Sequence, residues 1–205
     1  MKLWSFQSKF VMDKLVEDGI YYPDFKNGSE FAKKTQHAYN LLKNDYIEAN
    51  NVECKGVVFG VSHYENKPIE TFEDYKFAIE NSGVGGCSTT DPDNYLLELE
   101  VPDNIDPKSL QFYNFSDLIA FLDRDEECTS KELISTIEAL YSSDSCVNLV
   151  QSHVHYIDKS MIKGIHNVYG GDYLYDYESE DFKFVRREVK PNNIEYYINE
   201  IMGGM

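Results

Sequence analysis

Gln151, His153 and His155 stand two residues apart in the stretch 146–165, CVNLVQSHVHYIDKSMIKGI. Side chains alternate faces along extended backbone, so the three polar groups share one face if this stretch is a strand. Val147, Leu149 and Ile157 fall on that same face. Polar groups set among such neighbours either bond one another inside a core or line a cleft. An amide and two imidazoles can hold a hydroxyl, accept a proton or ligate a metal. The spacing of His153 and His155 suits two ligands on one strand, as in a metal-dependent hydrolase, with His63, His166 or Asp158 as a third. Without a third ligand the expectation is a pair of hydrogen-bonded structural histidines and no metal.

Other motifs are less specific. The segment 82–90, SGVGGCSTT, has the glycines of a phosphate cradle but lacks a Gly-Lys-Ser/Thr ending and follows no strand. It reads as a surface loop or lid. Asp91 and Asp93 lie in a stretch without the glycine and closing glutamate of a calcium loop. No Gly-x-Ser-x-Gly nucleophile elbow is present, and nothing specifies a Cys/His pair.

The elements that must position these residues follow from periodicity and punctuation. Residues 2–7 read as a strand. Ser8 opens a helix to about Glu17, closed by Gly19. A helix over 29–49 carries Phe31, Ala38, Tyr39, Leu42 and Tyr46 as its apolar stripe. Residues 55–62 read as a strand with Val57, Phe59 and Val61 on one face. Thr71 and Asp74 form a capping box for a helix that ends near Gly83. A strand over 95–101 is stopped by Pro102. Ser116 is expected to cap a helix to about Arg124, and Thr129 with Glu132 another to about Tyr141. After the 146–157 strand come a strand over 163–169, an acidic aromatic loop GGDYLYDYESED, an edge strand over 182–189 and a helix over 193–202. Strands and helices without regular βαβ spacing predict an α+β fold. The expectation is one domain over 1–205, with 170–205 as a peripheral extension.

Charge is unevenly spread along the chain. Residues 61–145 hold five basic and nineteen acidic residues, a net of −14, within a total of −17. Such a segment repels phosphate backbones, so non-specific nucleic-acid binding is not expected; a basic protein partner is. Cys54, Cys87, Cys128 and Cys146 form no Cys-x-x-Cys pair, which argues against a zinc knuckle or redox motif. The opening MKLWSFQSKF has no apolar leader segment, and no apolar run reaches membrane-spanning length. A cytoplasmic protein with reduced thiols is the expectation, and its oligomeric state is left open.

Three blocks carry a resemblance: Leu3-Trp4-Ser5-x-Gln7, the strand from Leu96 to Pro102, and Val150-Gln151 through Ile165. Together they resemble an uncharacterised bacterial and phage family that opens with Leu-Trp-Ser/Thr-x-Gln. More distantly, the layout resembles the ADP-ribosyltransferase fold, a split mixed or antiparallel sheet flanked by helices. That resemblance implies an NAD-type nucleotide cleft. Ser5 or Gln7 would stand at its first motif and Ser62 or His63 at its second, as cofactor-binding residues. Gln151 would stand at the place of the catalytic Glu, followed by Ile157, Ile162 and Ile165. Glutamine can hold a ribose hydroxyl but brings no charge to an oxocarbenium-like transition state; such a loss costs on the order of 10²–10³ in rate. Glu98 or Glu100 would be the substitute carboxylate, and His153 the base. The opposing expectation is a catalytically silent protein that uses its acidic middle to bind a basic or nucleic-acid-binding partner.

Overall fold

The computed structural model describes residues 1–27, 36–82, 93–122, 130–139, 148–166, 168–176 and 181–203. In chain order its elements are β1 Lys2–Ser8, α1 Lys9–Asp18, β2 Ile20–Tyr21, α2 Gln36–Asn50, β3 Val58–Tyr64, β4 Lys67–Pro68, α3 Phe72–Asn81 and β5 Asn94–Glu100. These are followed by β6 Lys108–Gln111, α4 Phe112–Leu122, α5 Ser130–Ala139, β7 Leu149–Val154, β8 Ile157–Asp158, β9 Ile162–His166, β10 Val168–Asp176, β11 Asp181–Val189 and α6 Ile194–Tyr197. A π-helical turn, Ile198–Met202, continues α6. The fold is α+β, with antiparallel strand pairing and separate helices. No helix among the described residues is long and apolar enough to cross a membrane.

The chain divides into two compact units, each assembled from separated stretches. The first comprises residue 1, 22–68 and 101–157; the second comprises 2–21, 69–100 and 158–205.

In the first unit β7 pairs with both β3 and β6, and β4 returns against β3. The β3–β4 turn is Glu65-Asn66, both left-handed at φ 50° and 61°. Two-residue hairpins need this conformation to match strand twist, and Asn adopts it far more readily than Glu. Asn148 steadies the turn, accepting from Glu65 N at 2.8 Å and donating its side-chain amide to Asn66 Oδ1. Ala38, Leu42, Leu110, Phe115 and Leu118 form the core, with Tyr39, Phe59 and Ile137 packed against it. Phe59 stacks on Phe25 and meets Tyr39 edge-on. Burying side chains of this size contributes roughly 1.5–3 kcal/mol each.

In the second unit β5 pairs with β1 and β9. Gly19 closes α1 at φ 76°, with its N–H on Leu15 O, as the sequence predicts. Ser8 takes the N-cap position but its side chain makes no cap bond. The capping box of α3 is present in both directions, Asp74 N to Thr71 Oγ1 at 3.1 Å and Thr71 N to Asp74 Oδ2 at 2.9 Å. Trp4 is buried and donates its indole N–H to Ile69 O at 2.9 Å. The far C-terminus, expected as a periphery, contributes Ile194, Tyr197 and Ile201 to the buried interior. Tyr197 donates to Asp13 Oδ1, and Tyr95, edge-on to Tyr197 at 4.9 Å, donates to Asn192 O.

Several expectations change. Ser116 is not a cap: α4 starts four residues earlier, and Ser116 Oγ bonds back to Phe112 O at 3.1 Å. A hydroxyl inside a helix can satisfy itself this way, so its presence alone does not mark an end. The acidic aromatic stretch expected as a loop is largely β10, paired residue for residue with β11 from Val168↔Val189 to Asp176↔Asp181. Its Val, Tyr and Leu content favours a strand, and acidity masks that preference. The short strand β6 was not expected. Residues 29–35, the 83–92 loop, the acidic run 123–127, Thr129 and residues 146–147 lie outside the described residues.

Candidate functional site

Strand β7 presents two polar faces in the first unit. On one face Gln151 and His153 are neighbours at the strand's two-residue period, and Gln151 Nε2 lies 2.8 Å from His153 Nε2. An amide nitrogen only donates, so the His153 Nε2 is the acceptor. Gln151 is 6% exposed and His153 0%. The β3 register sets Phe59 opposite His153, and the two rings meet edge-on at 5.1 Å. The pair is therefore a satisfied polar contact beside the aromatic core, which is the buried network of the two options the strand offers. The third member of the row, half-buried His155, bonds through Nδ1 to the Tyr46 hydroxyl at 2.8 Å. Burial raises the Tyr46 hydroxyl to about 12 and lowers His155 from its ordinary 6.5. Both shifts favour the uncharged forms, so the contact is a bond between a neutral hydroxyl and a neutral imidazole.

The opposite face carries hydroxyls. Ser152 of β7 lies between Ser109 of β6, at 2.7 Å, and Ser62 of β3, at 2.6 Å. His63 Nδ1 is 2.9 Å from Ser62 Oγ. A bulge lies beside this row: pairing runs Gly60↔Ser152 and Val61↔Gln151, then shifts to His63↔Val150. The two-residue period already sets Ser62 on the face of Gly60 and Ser152, and the shift leaves Ser62 without a register partner, next to His63. Ser62 and Ser152 are buried, His63 is half-buried and Ser109 is exposed. The structure thus brings the predicted Ser62 and His63 together and adds Ser152 and Ser109, which the sequence does not single out. Three serines on three strands, far apart in sequence, leave no local pattern; only the strand pairing aligns them.

Ser5 and Gln7 belong to the second unit, where Gln7 Nε2 donates to Ser5 Oγ at 2.7 Å and Ser5 is buried. The same unit holds Glu98, the carboxylate considered as a substitute for Gln151. Its two oxygens take Lys2 Nζ at 2.6 Å and His166 Nε2 at 3.1 Å. His166 stacks on Phe72, with centroids 4.4 Å apart. Gly164 leaves room for this contact, since a Cβ there would come within 2.5 Å of His166 Nε2. Glu98 is thus held as an ion-pair centre. Glu100 sits farther along β5, 3.5 Å from Lys163.

Of the candidate third metal ligands, His166 is spent on Glu98, and Asp158 accepts from Ser160 N and Oγ. No group of three or more His, Cys, Asp or Glu that could hold a metal ion occurs among the described residues. Cys54 is free, and burial pushes its thiol up, away from the reactive thiolate. On the surface, α3 carries a shallow depression lined by Glu73, Asp74, Lys76, Phe77 and Glu80, in which Phe77 is 58% exposed. Comparison with protein-family models, with curated proteins and with solved structures finds no match to this chain.

Proposed function

We propose that this protein acts by binding a basic protein partner rather than by turning over a substrate. One observation carries the reading: the amide and imidazole best placed for chemistry, Gln151 and His153, are bonded to each other and closed off from solvent. A group that must hold a ribose or take a proton from a substrate has to reach that substrate. The charge of the 61–145 segment then becomes the working feature, and the α3 face is one described part of it. There an exposed aromatic ring, Phe77, stands among carboxylates, a combination that suits an arginine-bearing segment through ring stacking and ion pairing. The test is anisotropy of a labelled arginine-rich peptide against increasing salt. Binding that weakens with salt and falls about tenfold in a Phe77→Ala, Glu80→Gln variant supports the reading. No binding at low salt, or binding indifferent to these changes, counts against it.

The second reading is an ADP-ribosyltransferase-like nucleotide cleft for NAD. Its support is the bonded Ser62–His63 pair, whose hydroxyl row runs on to the exposed Ser109. It requires Gln151 to leave His153 when a nucleotide binds. Calorimetry with NAD and ADP-ribose, together with an assay for nicotinamide release, decides it. Turnover gained by Gln151→Glu would favour a silenced transferase cleft over the binding protein. Absence of both heat and turnover would remove this reading.

A further inference from the structure

The serine row determines which nitrogen of His63 carries the proton. Each serine hydroxyl has one proton to give and two lone pairs with which to accept. At one end Ser109 Oγ lies 3.2 Å from Pro107 O and donates to it, since a carbonyl oxygen only accepts. Having spent its proton there, Ser109 must accept from Ser152 across their 2.7 Å contact. Ser152 in turn must accept from Ser62 across 2.6 Å. Ser62 has then no proton left for His63, and their 2.9 Å contact requires Nδ1–H to donate.

We propose that Ser62, Ser152 and Ser109 are positioning residues that hold neutral His63 as its Nδ1–H tautomer and so make Nε2 the basic nitrogen of the ring. The ordering passes through two buried hydroxyls from the carbonyl of Pro107, and bonds in such a chain polarise one another. A neutral imidazole with a basic Nε2 accepts from a hydroxyl or N–H donor, the chemistry a ribose hydroxyl presents. The tautomer assignment follows from the hydrogen bonds of the serine row. Its use toward a ribose rests on the nucleotide-cleft reading, so failure of NAD to bind would leave the tautomer assignment standing.

The experiment is ¹⁵N NMR of the histidine rings in the full chain at alkaline pH, where imidazole is neutral, with the His63 signals identified by their loss in His63→Asn. The wild type is expected to show protonated Nδ1 and bare Nε2 at His63. Ser152→Ala breaks the row and lets Ser62 donate to the ring. That is expected to move the tautomer ratio about five- to tenfold toward Nε2–H, the scale set by one net hydrogen bond. Ser152→Thr keeps the hydroxyl and is expected to restore the wild-type ratio. Ser109→Ala, at the exposed end, frees the row to reverse and shifts the ratio in the same direction. It also keeps the test open if the buried substitution fails to fold. A wild-type His63 protonated at Nε2, or a ratio unmoved in every serine-to-alanine variant that folds, overturns the proposal.

Discussion

The Tyr46 hydroxyl and the His155 imidazole are bonded at 2.8 Å, joining the long helix α2 to the residue that follows β7. Tyr46 is completely buried and His155 half-buried, so charging the ring by protonation costs free energy.

This contact makes stability depend on pH in a defined direction. The His155 pKa in the folded chain lies below 6.5, and burial is the cause. Between the folded and unfolded values the unfolded chain binds more protons, so stability rises with pH. The contribution is complete above about 6.5 and is lost as pH falls through the folded value. His155→Gln keeps a polar group that can bond the Tyr46 hydroxyl but does not titrate there. Urea midpoints at pH 7.5 and 5.5 are expected to differ less in this variant than in the wild type.

Tyr197 and Asp13 form the contact that ties the C-terminal helix to α1. The Lys9 ammonium, and after it the Tyr197 hydroxyl, hold the Asp13 carboxyl below its usual range. Tyr197→Phe is expected to raise the Asp13 pKa only part of the way, because Lys9 remains, and to cost about 1 kcal/mol. Carboxyl NMR titration and the thermal midpoint read the two effects separately.

Glu65 holds φ 50° at the β3–β4 turn, a conformation unfavourable for a residue with a Cβ. Glu65→Gly is expected to stabilise the chain by roughly 0.5–1 kcal/mol, the left-handed penalty less the added freedom of the unfolded glycine. An unchanged or lower denaturant midpoint would show that the turn carries no such strain.

Gly164 gives way to the Glu98–His166 contact: a Cβ would stand 3.0 Å from Glu98 Oε2 and still closer to the imidazole. Gly164→Ala is expected to cost about 1–3 kcal/mol, as overpacking does. The imidazole supplies most of the clash, so adding His166→Ala should recover part of that loss. A double-mutant cycle measures the coupling, and additive losses would refute the steric account.

Buried tyrosines give a further handle on the fold. Tyr46 and Tyr95 are each raised to about 12, burial being the first cause for both. In an alkaline absorbance titration, Tyr46→Phe and Tyr95→Phe are each expected to remove ionisation from the late phase and leave the early phase near 10 unchanged. A loss from the early phase would place that tyrosine at the surface.

Much of the framework is legible in local sequence. Gly19 ends α1 because a glycine at C′ takes the left-handed backbone at no steric cost, and Thr71 with Asp74 opens α3 because their groups meet one turn apart. The two-residue period alone puts Gln151 and His153 on one face. Ser116 shows the limit of such reading, since a hydroxyl that bonds to Phe112 O looks in sequence like one that caps.

What local sequence left undecided is what those faces meet. Alternation puts Gln151, His153 and His155 side by side, but only the packing of Phe59 and Tyr46 determines that Gln151 and His153 are enclosed and that half-buried His155 meets a tyrosine hydroxyl. The serine row depends on tertiary structure still more strongly. Ser62, Ser109 and Ser152 lie 43 to 90 residues apart, and they meet because β6 and β3 pair on either side of β7 in a register that puts all three on one face. Side-chain period is a property of the backbone and is written locally. Strand order and register are settled by the burial of whole faces, which no short stretch of this chain contains.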